Sequence, residues 1–273
     1  MAVRFRCLLA LPLSCAALVA GSQLGARRGT ADLSAAVPRT AMVAEPLAEA
    51  ADFSTIRRAA MNGDVGAQAT LASMLYMGEG VPADPEAAAH WYRKAAEGGD
   101  AASQSLLAML YEEGEGVAKD PGEAMRWFHL AADQGDVDAQ ARLGEKYYLG
   151  EGVAKDSAEA RRWYLKAALQ GHTASQARMG AMCFLGQGQP RDTAAALKWF
   201  RQAAAGGDPS AQGCLGLMYA TGDGVPKDAL AAYALLSQAK AGGYAQVTEA
   251  FRLLILDMTP AQLREAQRAA VNP

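Results

Sequence analysis

The chain has 273 residues, of which 51% are apolar and only 7% aromatic, and its formal net charge is −3. Alanine is prominent among the apolar residues, which is typical of closely packed helices. Lys and Arg are scattered along the sequence. They form no basic stripe that could follow a phosphate backbone, so the composition argues against nucleic-acid binding.

Residues 1–28 have the pattern of a secretory signal. Arg4 and Arg6 precede an apolar run from Cys7 to Gly21, and small residues follow it, as in signals that are removed on export. The run has 15 residues, whereas a membrane-spanning helix needs about 20. We therefore expect an exported protein, periplasmic or secreted. The alternatives are an uncleaved N-terminal membrane anchor and a mitochondrial presequence.

The rest of the chain divides into a linker and a repeat region. Residues 29–52 are rich in Ala, Thr and Pro and show no helical stripe, which predicts a flexible linker. From residue 53 to 270 the same glycine returns every 36 residues, at Gly63, Gly99, Gly135, Gly171, Gly207 and Gly243. A two-helix unit of this length predicts an all-α solenoid of helix-turn-helix repeats. We expect a half unit at 53–62, five full units at 63–242 and capping helices at 243–270, hence 13 helices and no strand.

The third full unit shows how the spacing predicts the first helix of a repeat. Ala139, Leu143 and Tyr147 fall at i, i+4 and i+8 and form one buried stripe. Asp136 stands where an N-cap is expected. Gly150 stands where a residue in the left-handed conformation would end the helix.

The second helix of the repeat has start signals of its own. Asp156 is its predicted N-cap, and Ala160 and Trp163, at i and i+3, face inward. In two other units a proline follows the capping aspartate, at Pro85 and Pro121. The first helical position is where a helix tolerates proline best.

Each helix of the repeat keeps one small residue in every unit. The first helices carry Ala72, Ala108, Gly144, Gly180 and Gly216, and the second helices carry Ala88, Ala124, Ala160, Ala196 and Ala232. We expect the paired helices to approach closely there, because a larger side chain would force them apart. We expect large side chains in the second helices to fill the rest of the core. They form the pairs Trp91-Tyr92, Trp127-Phe128, Trp163-Tyr164, Trp199-Phe200 and Leu235-Leu236.

The C-terminal segment has the features of a capping element. Phe251 and Ile255 extend one more first helix, and Thr259-Pro260-Ala261-Gln262 is a start signal for a last helix. The residues expected to cover the exposed end of the stack are Leu263, Ala266 and Ala270.

These motifs closely resemble the Sel-one-like repeat family, a relative of the tetratricopeptide repeat. In the third unit the family motif occurs as Ala139-Gln140, Leu143-Gly144, Tyr147, Gly150-Glu151-Gly152-Val153, Asp156, Trp163-Tyr164 and Ala167-Ala168. The resemblance spans residues 53–270, and the loop of the fourth unit departs from it with Gln189 in place of Val. It implies a right-handed superhelix of helix pairs and an adaptor role in protein complexes, often exported in bacteria, with no catalytic residue.

Cysteine-rich members of that family that act on β-lactams suggest an alternative function. This would be an envelope enzyme, or a binder of cell-wall fragments or β-lactams. The chain lacks regularly placed cysteines, which argues against it. Cys183 takes an apolar position of the repeat and is expected to be buried. Cys214 takes a mostly exposed position, and we do not expect a disulfide between the two.

No set of residues predicts metal, nucleotide or catalytic chemistry. His90, His129 and His172 occupy unrelated positions of the repeat and are expected on the surface rather than at a metal. The loop residues Glu79, Glu115 and Glu151 are expected to be solvated rather than to bind calcium. The loops also lack the Gly-Lys-Ser/Thr ending of a phosphate-binding loop. We therefore predict a protein that is not an enzyme and needs no cofactor and no metal.

The face of the first helices opposite their buried stripe is the predicted partner-binding groove. It carries Tyr76, Met109, Glu112, Glu145, Tyr148, Phe184 and Leu217. In related solenoids the first helices line the concave side, so this face would suit an extended peptide or a partner helix. Glu112 and Glu145 favour a basic partner. The alternative is that neighbouring units bury these side chains against each other. The predicted function is an exported, monomeric, non-enzymatic adaptor, tethered to the membrane if the first segment stays uncleaved.

Overall fold

The computed structural model describes residues 53–271, and in that range the protein is entirely helical. Thirteen α-helices and one 3-10 helix follow one another there, with no strand. The predicted class, an all-α helical solenoid of 36-residue units with 13 helices, is confirmed for these residues. The predicted signal at 1–28 and linker at 29–52 lie outside the described residues.

The helices have nearly constant lengths. They are α1 (Phe53–Met61), α2 (Val65–Met77), α3 (Pro85–Glu97), α4 (Ala101–Glu113), α5 (Pro121–Asp133), α6 (Val137–Leu149), α7 (Ser157–Leu169), α8 (Thr173–Leu185), α9 (Thr193–Ala205), α10 (Pro209–Thr221), α11 (Ala229–Ala241), the 3-10 helix Ala245–Val247, α12 (Thr248–Asp257) and α13 (Pro260–Val271). Every helix from α2 to α11 has 13 residues.

The described residues fall into two compact units, 53–155 with α1–α6 and 156–271 with α7–α13. In the first unit α2 packs on α3 and α4 on α5, and in the second α8 packs on α9 and α10 on α11. Within each unit a second helix also packs on the first helix of the following repeat, as α3 does on α4 and α9 on α10. A repeat too small for a core of its own buries its apolar stripe in this way.

Aspartate side chains begin the helices, as predicted. The Asp136 carboxylate accepts a hydrogen bond from the Ala139 N–H at 2.7 Å at the start of α6. Asp156 accepts from two backbone N–H groups at the start of α7. In α8 the cap is His172, whose Nδ1 accepts from the Ser175 N–H at 3.2 Å. Each such cap contributes about 1 kcal/mol by satisfying a donor that the first helical turn leaves open.

Two glycines in the left-handed conformation end the helices of a repeat. Gly150 ends α6 with φ of 80°, and its N–H donates to the Lys146 carbonyl at 2.8 Å. Gly135 follows α5 with φ of 97°. A side chain is strained in this conformation, so the 36-residue glycine period marks the turn between repeats.

In two of the Gly-x-Gly loops the second glycine is required by close packing. A Cβ atom on Gly116 would stand 2.0 Å from the Pro85 carbonyl oxygen, and one on Gly188 would stand 2.5 Å from the Ser157 carbonyl oxygen. The loop therefore lies directly on the first turn of the second helix of the preceding repeat. No side chain fits in that contact.

A glutamine on each first helix bonds to the preceding repeat. Gln104 Nε2 donates to the Ala96 carbonyl at 3.0 Å, and Gln140 Nε2 donates to the Ala132 carbonyl at 3.1 Å. The same bond joins Gln68 to Ala60, Gln176 to Ala168 and Gln212 to Ala204. The accepting carbonyls belong to the last turn of a second helix, where intrahelical donors run out. The Ala-Gln motif thus holds consecutive repeats in register.

The second residue of each aromatic pair fills the core. Tyr92, Phe128, Tyr164, Phe200 and Leu236 are at most 4% exposed. The expectation that each tryptophan is buried holds for Trp127 and Trp163 but is wrong for Trp91 and Trp199, which are half-buried. The residue that follows the tryptophan faces the small residue of the first helix, since a Cβ on Gly180 would stand 2.7 Å from the Phe200 ring.

The predicted exposure of Cys214 is wrong. Cys183 is buried as expected, but Cys214 is only 1% exposed, and neither forms a disulfide. In the fifth repeat the C-terminal cap lies against this part of α10. Tyr244 and Val247 come so close to Gly213 that a Cβ there would meet them at 3.0 and 2.7 Å. The cap therefore covers a position that stays accessible in earlier repeats.

The C-terminal cap begins differently from a repeat. A 3-10 turn precedes α12, and Tyr244 supplies no side-chain cap there. The start signal of α13 is confirmed, because the Gln262 side chain accepts from the Thr259 N–H at 3.0 Å and the Thr259 hydroxyl accepts from the Gln262 N–H at 3.3 Å. Of the residues expected to cover the end, Ala266 is buried and Leu263 half-buried, and the side chain of Ala270 lies outside the described residues.

Gly180→Ala is expected to lower the free energy of unfolding. The Phe200 ring, itself 1% exposed, occupies the space of the new methyl group. Overpacking of about 1–3 kcal/mol outweighs the gain of about 1 kcal/mol in helix propensity. The measurement is urea unfolding followed by circular dichroism. The matched control is Gly66→Ala in α2, which is exposed and should gain up to about 1 kcal/mol. Equal stabilisation by both changes would contradict the packing described.

Gln104→Glu is expected to cost about 1–3 kcal/mol at pH 7, since the ionised side chain cannot donate to the Ala96 carbonyl. Burial raises the pKa of such a carboxyl, and its protonated form can donate. The loss should therefore shrink as the pH falls towards 4, which urea unfolding at both pH values measures. Gln202→Glu, at an exposed position of α9, is the control. A loss that does not change with pH would argue against the hydrogen bond.

Candidate partner-binding surface

Four of the seven predicted groove residues are buried. Met109, Tyr148, Phe184 and Leu217 are between 2% and 6% exposed, while Tyr76 is half-buried. Other parts of the chain cover these four side chains. This corresponds to the alternative interpretation, in which neighbouring repeats bury them. Their burial argues against Tyr148 and Phe184 as direct contacts of a partner.

Basic and polar groups of the chain lie next to the aromatic side chains of the predicted groove. Lys155 Nζ lies 5.6 Å from the centre of the Tyr148 ring, and the Arg191 guanidinium carbon lies 4.6 Å from that of Phe184. The Tyr76 hydroxyl donates to Glu115 Oε2 at 3.0 Å. The expectation that Glu115 is simply solvated is therefore wrong, because this loop carboxylate bonds to the preceding repeat.

Both glutamates of the predicted groove have basic partners within the chain. Glu112 forms an ion pair with Lys146, whose side chain is only 8% exposed and lies 5.6 Å from the centre of the Phe128 ring. Glu145 lies 3.8 Å from Arg142. This pairing neutralises the charge on which the expected basic partner depended.

The second and sixth residues of the first helices remain accessible in most repeats. In unit 53–155 they include Thr70, Leu106 and Arg142, and in unit 156–271 they include Ala174, Arg178 and Ser210. We call these six residues the first-helix face, each unit contributing its own part. The sequence carried a signal for it, since the sixth position changes from Thr to Leu, Arg, Arg and Cys, while the residue before it stays small and the residue after it stays Leu or Met.

A small cavity opens on the first-helix face of unit 156–271. It has a volume of about 140 Å³ and lies between the first helices of the fourth and fifth repeats. Ala177, Ala181, Phe200 and Cys214 form its apolar wall, and Arg178, Asp208, Ser210 and Tyr244 supply polar groups. The cavity itself arises where the cap meets the last repeats.

The histidines have structural surroundings. His90 is exposed as expected, but His129 and His172 are half-buried, because His129 Nε2 lies 3.3 Å from the Tyr147 hydroxyl and His172 caps α8. Between residues 53 and 271, no three His, Cys, Asp or Glu side chains converge on a site for a metal ion. None of the helices in that range combines the length and the apolar content that a bilayer crossing requires.

The Cys183 thiol is not arranged as a nucleophile. Burial raises its pKa, which keeps it protonated and poorly reactive. Gln189 Nε2 donates to Cys183 Sγ at 2.9 Å. The two departures of the fourth repeat, Gln189 in the loop and Cys183 on α8, thus form one contact.

The 36-residue pattern identifies the family. Five consecutive Sel1 repeats match residues 65–100, 101–136, 137–172, 173–208 and 209–244. The chain belongs to the Sel1 repeat family. Sel1 repeat proteins are generally scaffolds for protein interaction, and no catalytic family is indicated for this chain.

Solved structures of other Sel1 repeat proteins are similar to this chain. A protective antigen of uropathogenic Escherichia coli with an SLR fold is 36% identical, with a TM-score of 0.68, over 80% of this chain and 48% of that chain. A Sel1 repeat protein from Oxalobacter formigenes is 32% identical, with a TM-score of 0.65, over 77% of this chain and 88% of that one. The chain thus spans about half the length of the antigen. No curated protein matches it.

Proposed function

We propose that this Sel1 repeat protein is an exported, non-enzymatic scaffold that binds a protein or peptide along its first-helix face. One observation carries the proposal. The constant motif residues are occupied by structural contacts, as caps, as turn glycines and as the glutamine bonds between repeats. The first-helix face, in contrast, varies from repeat to repeat and remains accessible. A surface of this kind suits selective binding rather than chemistry.

The chemistry of the face supports a different partner from the one first expected. The glutamates of the groove are paired within the chain. Arg178, in contrast, lies on the cavity rim with no acidic group of the described residues in ion-pair distance. The small residue Ala174 beside it lets a peptide backbone approach closely. We therefore propose a partner that presents acidic groups to unit 156–271.

Export rests on the pattern of residues 1–28. It agrees with the description of one similar protein as a protective antigen. Mass spectrometry of the mature protein from its native host tests it. We expect an N-terminus at Ser22 or Gln23, because small residues end the apolar run there. A mature protein that begins at residue 1 or 2 would favour the membrane-anchored alternative.

Capture of a partner from an envelope extract tests the scaffold role. The double variant Leu106→Ala and Arg178→Glu alters the first-helix face in both units at half-buried positions. The matched control, Leu130→Ala and Arg162→Glu, makes the same two changes at exposed positions of the second helices α5 and α7.

We expect the face variant to capture a given partner at least about tenfold less than the wild type, which corresponds to about 1.4 kcal/mol. The control variant should capture it as the wild type does, and circular dichroism should show unchanged helicity in both. Equal capture by all three proteins, or equal loss in both variants, would contradict binding along this face.

A further inference from the structure

The cavity of unit 156–271 holds two opposite charges that do not pair with each other. Arg178 and Asp208 both line it, but they lie beyond the 4.0 Å that defines an ion pair. A guanidinium next to a small, largely apolar cavity attracts a carboxylate in a bidentate geometry. A carboxylate on the opposite side repels a second anion but accepts an N–H donor.

The Asp208 side chain is held in a fixed orientation. Its Oδ1 accepts from the Ala211 N–H at 2.7 Å and from the Ser210 hydroxyl at 2.6 Å, as the N-cap of α10. No donor among the described residues is directed at Oδ2. This second oxygen is therefore free to accept a hydrogen bond from a ligand.

The wall of the cavity suits an apolar side chain. Ala177, Ala181, Phe200 and Cys214 form it and are between 1% and 7% exposed. The volume of about 140 Å³ is well above the roughly 10–15 Å³ that admits one water molecule, so the cavity has room for an amino-acid side chain.

We infer that this cavity binds the C-terminal residue of a peptide that ends in an apolar amino acid such as Ala. The terminal carboxylate binds Arg178, the N–H of the same residue donates to Asp208 Oδ2, and the side chain contacts the apolar wall. In an internal acidic residue the carboxylate is at least one carbon atom further from the residue's own N–H than in a C-terminal residue. The inference rests on the proposed scaffold function and names the chemistry of its partner. A free amino acid offers the same groups and is the other source of them.

The test uses the purified protein and three probes in isothermal titration calorimetry. The probes are the tripeptide Gly-Ala-Ala as free acid, the same tripeptide with a C-terminal amide, and free L-alanine. We expect the free acid to bind at least about tenfold more tightly than the amide, because the amide loses the charge-assisted bond to Arg178.

Protein variants locate the binding. Arg178→Gln should weaken the free acid about tenfold, and Ala181→Leu should abolish binding by filling the cavity. The control Arg162→Gln, an exposed arginine of α7, should have no effect.

The inference is wrong if the free acid does not bind at about 10 mM, or if the acid and the amide bind with equal affinity. It is also wrong if Arg178→Gln binds the free acid as tightly as the wild type does. Binding of L-alanine as tight as that of the tripeptide would assign the cavity to free amino acids and overturn it as well. If the tripeptide fails while the first-helix face variant still loses partner capture, the scaffold function stands and the inference alone is wrong.

Discussion

The hydrogen bond from each first-helix glutamine to a carbonyl of the preceding repeat is the interaction on which the rest of the structure depends. A two-helix repeat cannot bury its own apolar stripe, so its stability comes from the junction with its neighbours. Apolar contacts alone would allow one repeat to shift along the next. A buried amide, in contrast, satisfies its hydrogen bonds in only one alignment of the two repeats. The glutamine therefore fixes the alignment in which the aromatic side chains meet the small residues of the first helices.

This constraint explains why so much of the repeat is constant. The caps, the turn glycines, the Gly-x-Gly loop and the alanine positions all serve the same close approach. A Cβ on Gly116 would meet backbone at 2.0 Å, so the loop has no freedom to acquire another role. The sixth position of the first helices, in contrast, varies among the repeats and stays accessible in four of them. The proposed specificity for a partner resides in such positions.

The same constraint shows why the predicted groove differed from the accessible surface. Helical periodicity assigned Tyr148 and Phe184 to the face of the first helix opposite its buried stripe. It carries no information on what the adjacent repeat covers, and these rings are buried in the structure. Glu112 was likewise assigned to a partner, but its charge is neutralised by Lys146 on the next first helix, 34 residues further along the chain.

The sequence by itself determined the helices, their caps and their pairing, because these follow from contacts within one 36-residue unit that is repeated five times. Asp136, Gly150 and Thr259 could each be assigned from their immediate neighbours. Only the tertiary structure decided which side chains remain accessible, why Cys214 is covered, and that Arg178 and Asp208 share a cavity. Those features arise between repeats and at the C-terminal cap, where residues about 30 or more positions apart meet and local spacing no longer governs the contact.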